Sequence, residues 1–252
     1  MPYNISVIIP TLNEEKSIAH VLDNTIDTFE RLGLSGEIVV INDGSTDKTP
    51  AIVESYIERN SFIKMIHHNK PKGVGFSYWE AVNEAEGELV TWVPGDSEID
   101  AYEIIRYIPL LEHVDIVTPH VYNKSVRSLK RRTLSNVYRS IMNLSFSFLL
   151  NYTNGTAIFR KSILKNINLR SNGFFFQTEL LVKCMKKGYL CAEVPYAIRP
   201  RIGGNTKAIS LNSLISVIYD YLSLLIDCYV LKTKDTSISL DSITAMRRKQ
   251  FK

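Results

Sequence analysis

Four short apolar runs, separated by stretches of helical periodicity, constrain this chain more than any other feature. ISVIIP (5–10), EIVVIND (37–43), FIKMIHH (62–68) and ELVTWV (88–93) read as strands. Their near-continuous hydrophobicity is that of strands buried on both faces. After the first run, Ile18, Val21, Leu22, Ile26, Phe29 and Leu32 recur at helical spacing, and Gly33 can end that helix. STDKTPAIVESYIERN supplies a second helix, and FSYWEAVNEAEG a third behind a glycine-containing loop. The β-α-β-α-β-α-β order predicts an α/β fold with a doubly wound, mostly parallel sheet and right-handed crossovers. Such sheets take ligands at the carboxyl ends of their strands. That rule selects Pro10 to Glu14, Asn42-Asp43 and Gly95 to Glu98 before any motif is consulted.

The second half is less regular. DIVTPH (115–120), GTAIFR (155–160) and YLCAEVPYAIRPR read as strands, and FFFQTELLVKCMKKG (174–188) as a helix closed by Gly188. A segment from Ser125 to Leu150 carries its charges first and its apolar residues last. Leu211 to Leu231 approaches the length of a membrane span, but Asp220 and Asp227 would each cost about 2.5–3.5 kcal/mol at a bilayer centre, so it reads as a buried or interfacial amphipathic helix. From Thr233 the chain is polar, and a weakly ordered tail is expected.

Composition excludes several classes. With 252 residues, 45% hydrophobic and 22% charged, the chain is an ordinary globular one. A net charge of +4 is too mild to point to nucleic acid, although KSVRSLKRR (124–132) and RRKQFK (247–252) are local basic clusters suited to phosphates or an anionic surface. Three cysteines without CxxC spacing read as reduced thiols of a cytosolic protein. The opening MPYNISVIIP enters a strand directly, with no signal-peptide pattern.

The acids at the strand ends have two readings each. Asp43 can accept from a base N–H or a ribose hydroxyl, or it can close an Asx-turn. Asn13 or Thr11 can cap the first helix, with Glu14 and Glu15 serving its dipole. Asp96 and Glu98, two residues apart in a turning segment, offer hard oxygen ligands to Mg²⁺ or Mn²⁺ shared with a diphosphate, or form a solvated acidic turn. Asp100 reads as the cap of the following helix.

SVIIPTLNEE, IVVINDGSTDKT, NKPKGVGFSYWEAVNEAEGELVTWVPGD and EVPYAIRPRIGGNTK stand in the order seen in family-two glycosyltransferases of the GT-A fold. The chain resembles the polyprenyl-phosphate glycosyltransferases, of the dolichol-phosphate mannose synthase type, over roughly residues 4 to 207. The resemblance implies that Pro10, Leu12, Glu14, Asp43 and Gly73 line the nucleotide pocket, and that Asp96 and Glu98 hold a divalent metal. The family's usual metal motif is Asp-Ala-Asp with a Gln two residues on. Here Pro94 replaces the first Asp, Asp96 keeps the second, and Glu98 stands at the Gln position. RIGGNTK fits the family's Arg-x-x-Gly-x-Ser-Lys loop, making Arg201 and Lys207 candidates for phosphate binding. Glu179 of FQTELL is a candidate base if the acceptor is a hydroxyl, or a partner of Arg201. YTNGTAIFRK matches the family's Thr-Gly-Ser-Phe-Arg segment only loosely, with Ala157 at the arginine position, so Arg131, Arg132 and Arg139 become the candidates for that phosphate contact.

The resemblance therefore implies an inverting, metal-dependent transfer of a hexose from a GDP- or UDP-sugar to a polyprenyl phosphate. The alternatives are a sugar or other hydroxyl acceptor, or a non-catalytic nucleotide-sugar binding protein. Residues 1–208 are expected to form the transferase domain, and 209–252 a C-terminal helix and basic tail. The expected location is cytoplasmic and peripheral at the cytoplasmic face of the membrane, with room for a homodimer or a membrane partner subunit.

Overall fold

The computed structural model describes residues 3–165, 167–200, 211–230 and 237–250. Among these, one sheet contains β1 (Tyr3–Thr11), β2 (Gly36–Asn42), β3 (Ile63–His67), β4 (Gly87–Trp92), β5 (Ile116–Val121), β6 (Ile158–Arg160) and β7 (Cys191–Tyr196). Its order is β3-β2-β1-β4-β6-β5-β7. The first four strands are parallel, as expected. β6 runs antiparallel to both β4 and β5, and β5 pairs with β7 in parallel.

The alternation of each strand sorts its side chains onto two helical layers. Ile5, Val7 and Ile9 of β1 face α1 (Ile18–Leu32), α2 (Thr49–Ile57) and α4 (Ala101–Ile105). Ile8, Val39, Ile41 and Val90 face α3 (Val74–Glu84), α6 (Lys161–Leu164) and α7 (Phe176–Lys186). Gly33 ends α1 in the left-handed region at φ 62°.

A third apolar cluster joins α5 (Leu129–Phe146) to α7 and α8 (Leu211–Leu225) through Met142, Phe146, Phe175, Val182 and Leu224. A π-helical turn, Ile226–Val230, continues α8. The segment Ser213–Val230 is long and apolar enough to cross a membrane. Its two acids nevertheless dock on the domain. Ser171 Oγ donates to Asp220 Oδ2 at 2.6 Å, and buried Asp227 pairs with Arg170 Nη1 at 2.8 Å and Lys183 Nζ at 3.4 Å. The opposite side of the helix, with Ile215, Ile218, Tyr219, Leu222 and Ile226, stays exposed. One face of the helix is thus held by the protein, and the other is apolar and outward.

The expectation of a weakly ordered tail is corrected. Residues 243–250 form α9 (Ile243–Gln250), whose N-terminus receives the carboxylate of fully buried Asp115. Asp115 accepts from Ile243 N at 2.7 Å, Thr244 N at 3.1 Å and the Thr244 hydroxyl. An anion on free helix amides is a stable cap, and here it lies 128 residues upstream, where no local pattern reveals it.

Candidate active site

The sheet order reverses direction between β1 and β4, and the crevice outside the carboxyl ends of those strands is where a doubly wound sheet takes its ligand. Three loops meet there. Asn13, at φ 57°, accepts from Thr46 N at 2.8 Å and donates its own amide to Ser45 Oγ at 2.9 Å. Glu14 N donates to Thr49 Oγ1 at 2.8 Å, and Ser17 Oγ donates to Gly95 O at 2.7 Å. A side chain on Gly95 would press on Thr11 and Pro10, so glycine lets the acid turn lie against the first loop. Asn13 therefore stitches the loops together, and the residue at the helix N-cap is Ser17.

Pro10, Leu12 and Glu14 stand half-buried on the first loop, while Asp43 is buried at the end of β2. Asp43 accepts from Lys72 N at 2.8 Å, from Gly73 N at 3.0 Å and from His68 Nδ1 at 2.7 Å. Burial pushes this carboxyl up, but the His68 bond and the two amides more than offset it, leaving it below the usual aspartate range. Gly73, at φ 101°, adopts a backbone that favours glycine, and a Cβ there would strike Asn172 O.

Asp96 and Glu98 are buried in the turn after β4, with Ser97 between them at φ 59° and Glu98 N donating to Asp96 Oδ1 at 3.0 Å. Glu98 Oε1 lies 3.3 Å from Nη2 of both Arg127 and Arg131. No group of three or more His, Cys, Asp or Glu among the described residues is arranged to hold a metal by itself. Asp100 caps α4, accepting from Tyr102 N at 3.0 Å.

Beside this turn lies a cationic pocket lined by Lys124, Arg127, Arg132 and Arg139, with Asn136 and Tyr152. Arg127 is only 11% exposed, and its Nε has no hydrogen-bond partner. Its other contacts are long, 3.4 Å to Tyr152 and 3.3 Å to Glu98. A buried guanidinium so weakly satisfied is suited to an additional anion. Arg132 and Arg139 thus line the pocket, whereas Arg131 turns to Glu98. Lys124 and Arg127 were read only as members of the 124–132 basic cluster, because burial cannot be read within a run of cations.

A model of the family "Glycosyl transferase family 2" matches residues 6–168. The chain belongs to this family. Among curated relatives it is similar to glycosyltransferase AglD of Haloferax volcanii, 25% identical over 81% of this chain and 34% of that protein. It is also similar to the undecaprenyl-phosphate 4-deoxy-4-formamido-L-arabinose transferase of Proteus mirabilis (30% identical, 55% of this chain, 43% of that protein). A third relative is the dolichyl-phosphate beta-glucosyltransferase ALG5D of Trichomonas vaginalis (36% identical, 36% of this chain, 30% of that protein). The chain thus spans less than half the length of these relatives. In fold it is similar to the Mycobacterium tuberculosis glucosyl-3-phosphoglycerate synthase, crystallised with Mn²⁺, UDP and phosphoglyceric acid. That likeness has a TM-score of 0.61 at 22% identity, over 88% of this chain and 78% of the other.

Within this family-two frame the remaining candidates separate. Arg201 and Lys207 lie outside the described residues. Glu179 is buried, and its carboxylate accepts from Arg170 N at 3.0 Å, Ser171 N at 2.8 Å and Lys183 Nζ at 2.6 Å. Through these bonds it anchors the 170–171 loop. The reduced-thiol expectation agrees with the three free cysteines, and burial pushes the Cys191 thiol up to about 12.

Proposed function

We propose that the chain transfers a hexose from a UDP- or GDP-sugar to the phosphate of a polyprenyl lipid, lying peripherally on the cytoplasmic face of the membrane. The cationic pocket beside Glu98 carries this reading, because α5 supplies two of its three arginines, Arg132 and Arg139, and an apolar outer face. Leu134, Val137, Ile141 and Leu144 form an exposed stripe at helical spacing on α5, and neighbouring α8 exposes its own. An acceptor with an anionic head and an apolar tail matches both surfaces. A soluble phosphate fits the pocket alone and leaves the apolar faces without a role. The family match, and the polyprenyl-phosphate relatives in particular, support the same acceptor class.

The chemistry follows from the acceptor. A phosphate oxygen attacks C1 of the sugar as the C1–O bond to the nucleotide breaks, the electron pair leaves on the diphosphate, and the anomeric centre inverts. The attacking oxygen is already anionic, so no general base is required, in keeping with Glu179 being engaged by three donors. Arg127, Arg132, Arg139 and Lys124 would seat the acceptor phosphate, while Pro10, Leu12, Glu14, Asp43 and Gly73 border the nucleotide. Arg201 and Lys207 remain candidates for the donor phosphates. A hard divalent cation fits the carboxylate of Asp96, and Glu98, which shares its charge with two guanidiniums, would be the weaker ligand. When bound, Mg²⁺ or Mn²⁺ supplies positive charge to the departing diphosphate.

The deciding experiment offers radiolabelled UDP- and GDP-hexoses to the protein in detergent with undecaprenyl phosphate, dolichyl phosphate, the unphosphorylated polyprenol or 3-phosphoglycerate. Label is expected on a polyprenyl phosphate and not on the polyprenol. Transfer to a hydroxyl acceptor or phosphoglycerate alone, or donor binding with no transfer, would overturn the reading.

A further inference from the structure

His68, just beyond β3 and 3% exposed, holds carboxylates at both ring nitrogens. Nδ1 stands 2.7 Å from Asp43 Oδ1, and Nε2 stands 2.5 Å from Glu80 Oε2. A neutral imidazole donates from one nitrogen only, so both bonds are made with a hydrogen on each nitrogen, or with Glu80 carrying the outer one. The chain then continues inward, since Asp43 also accepts the amides of Lys72 and Gly73. Those amides open α3, where Gly75 N donates to Asn172 O at 2.9 Å and a Cβ on Gly73 or Gly75 would strike the backbone of residues 171–172. The glycine loop is therefore gripped from two sides, by Asp43 and by the 171–172 backbone. On the outer side Lys72 Nζ approaches Glu80 Oε1 at 3.9 Å and covers the Phe76 ring, against which His68 packs edge-on.

Burying an imidazole between two carboxylates is costly unless the arrangement fixes something. What it fixes here is the orientation of Asp43 and the glycine loop at the carboxyl edge of the sheet. We propose that His68 is a positioning residue for the nucleotide donor: it orients Asp43, and through it the Lys72–Gly73 loop, so that this side of the crevice is formed before the nucleoside diphosphate arrives. The proposal rests on reading the crevice as a nucleotide-sugar site. His68 touches no reacting atom, so its contribution belongs to donor binding and not to the chemical step.

Two conservative substitutions separate positioning from simple filling. An Asn amide nitrogen can take the place of Nδ1 and keep the bond to Asp43, whereas a Gln amide can replace only Nε2 and keep the bond to Glu80. H68N, H68Q and H68L are compared by calorimetric titration with UDP and GDP in Mn²⁺, by the split between donor KM and kcat, and by amide hydrogen exchange at Lys72 and Gly73. H68Q and H68L are expected to weaken nucleotide binding on the order of tenfold or more, the size of one lost charge-assisted bond. Their kcat should stay within about twofold, since reacting atoms are untouched. Exchange at Lys72 and Gly73 should rise in both, and H68N should recover binding and protection together. Equal behaviour of H68N and H68Q, or wild-type binding and protection in folded H68L, would overturn the proposal. If the wild-type protein binds no nucleoside diphosphate, the reading of the crevice fails. The exchange pattern then decides the clamp alone: selective rescue by H68N supports it, and a flat pattern overturns it.

Discussion

Arg127 Nη2 lies 3.3 Å from Glu98 Oε1, so the acid turn after β4 and the cationic pocket beside α5 share one buried ion pair. The residue expected to serve a metal is thereby also the counter-charge of the pocket proposed for the acceptor. Removing one partner of such a pair leaves a buried charge unpaired, which is usually worse than losing the pair.

That relationship makes Asp96 and Glu98 separable. Asp96→Asn should weaken Mn²⁺ binding, followed by electron paramagnetic resonance titration, by on the order of a hundredfold or more, at or above the roughly 10–100-fold lost with an outer-shell partner. Glu98→Gln should cost less than about tenfold in metal affinity and lower the KM for the phosphate acceptor, because Arg127 and Arg131, freed of their counter-charge, present more positive charge to it. Equal losses of Mn²⁺ affinity would make the two carboxylates equivalent ligands.

A second prediction concerns the apolar faces. Leu144 is 86% exposed and Tyr219 73% exposed, so the double substitution Leu144→Glu and Tyr219→Glu should leave the circular dichroism melt unchanged. Sedimentation with phosphatidylglycerol vesicles should nevertheless fall at least about tenfold, as apolar area and charge attraction are lost together. Undiminished vesicle binding would remove α5 and α8 from the membrane contact.

The C-terminal anchor gives a third. Asp115→Ala strips the cap from α9 and leaves Ile243 N, Thr244 N and the Thr244 hydroxyl without their acceptor. Chemical denaturation should show a loss on the order of 3 kcal/mol. Thr244→Val, which keeps both amide bonds, should cost about 1 kcal/mol. Limited proteolysis should then cut Asp115→Ala between α8 and α9 faster than the wild type.

The contrast between well-read and misread elements has a physical origin. The first four strands were legible because each is buried on both faces and so writes an unbroken apolar run. β6, only Ile158–Arg160, is too short to declare its direction, which is set by its neighbours β4 and β5. α9 was illegible because its cap, Asp115, sits just before β5, far away in the chain. At the site, Asp43 and Asp96 could be found from their places after strands. Their partners could not: His68 and the amides of Lys72 and Gly73 are joined to Asp43, and Arg127 to neighbouring Glu98, only by folding. The bonds of Glu179 were hidden for the same reason, since its family position says nothing about Arg170 N and Ser171 N.

Asp43 also carries a pH signature. Its folded value lies below the ordinary aspartate value of about 4. A depressed carboxyl contributes stability that is complete above the unfolded value and is lost as pH falls through the folded one. Asp43→Asn should therefore be less stable than the wild type at pH 7, by about 1–3 kcal/mol for the charge-assisted bonds it weakens. The gap should close as pH falls below about 4, because the wild-type carboxylate protonates in its turn. Denaturation curves collected from pH 7 down to pH 2.5 test this. Two curves that stay parallel through the acid range would show that the charge on Asp43 contributes nothing, and that its bonds to His68, Lys72 and Gly73 depend on shape alone.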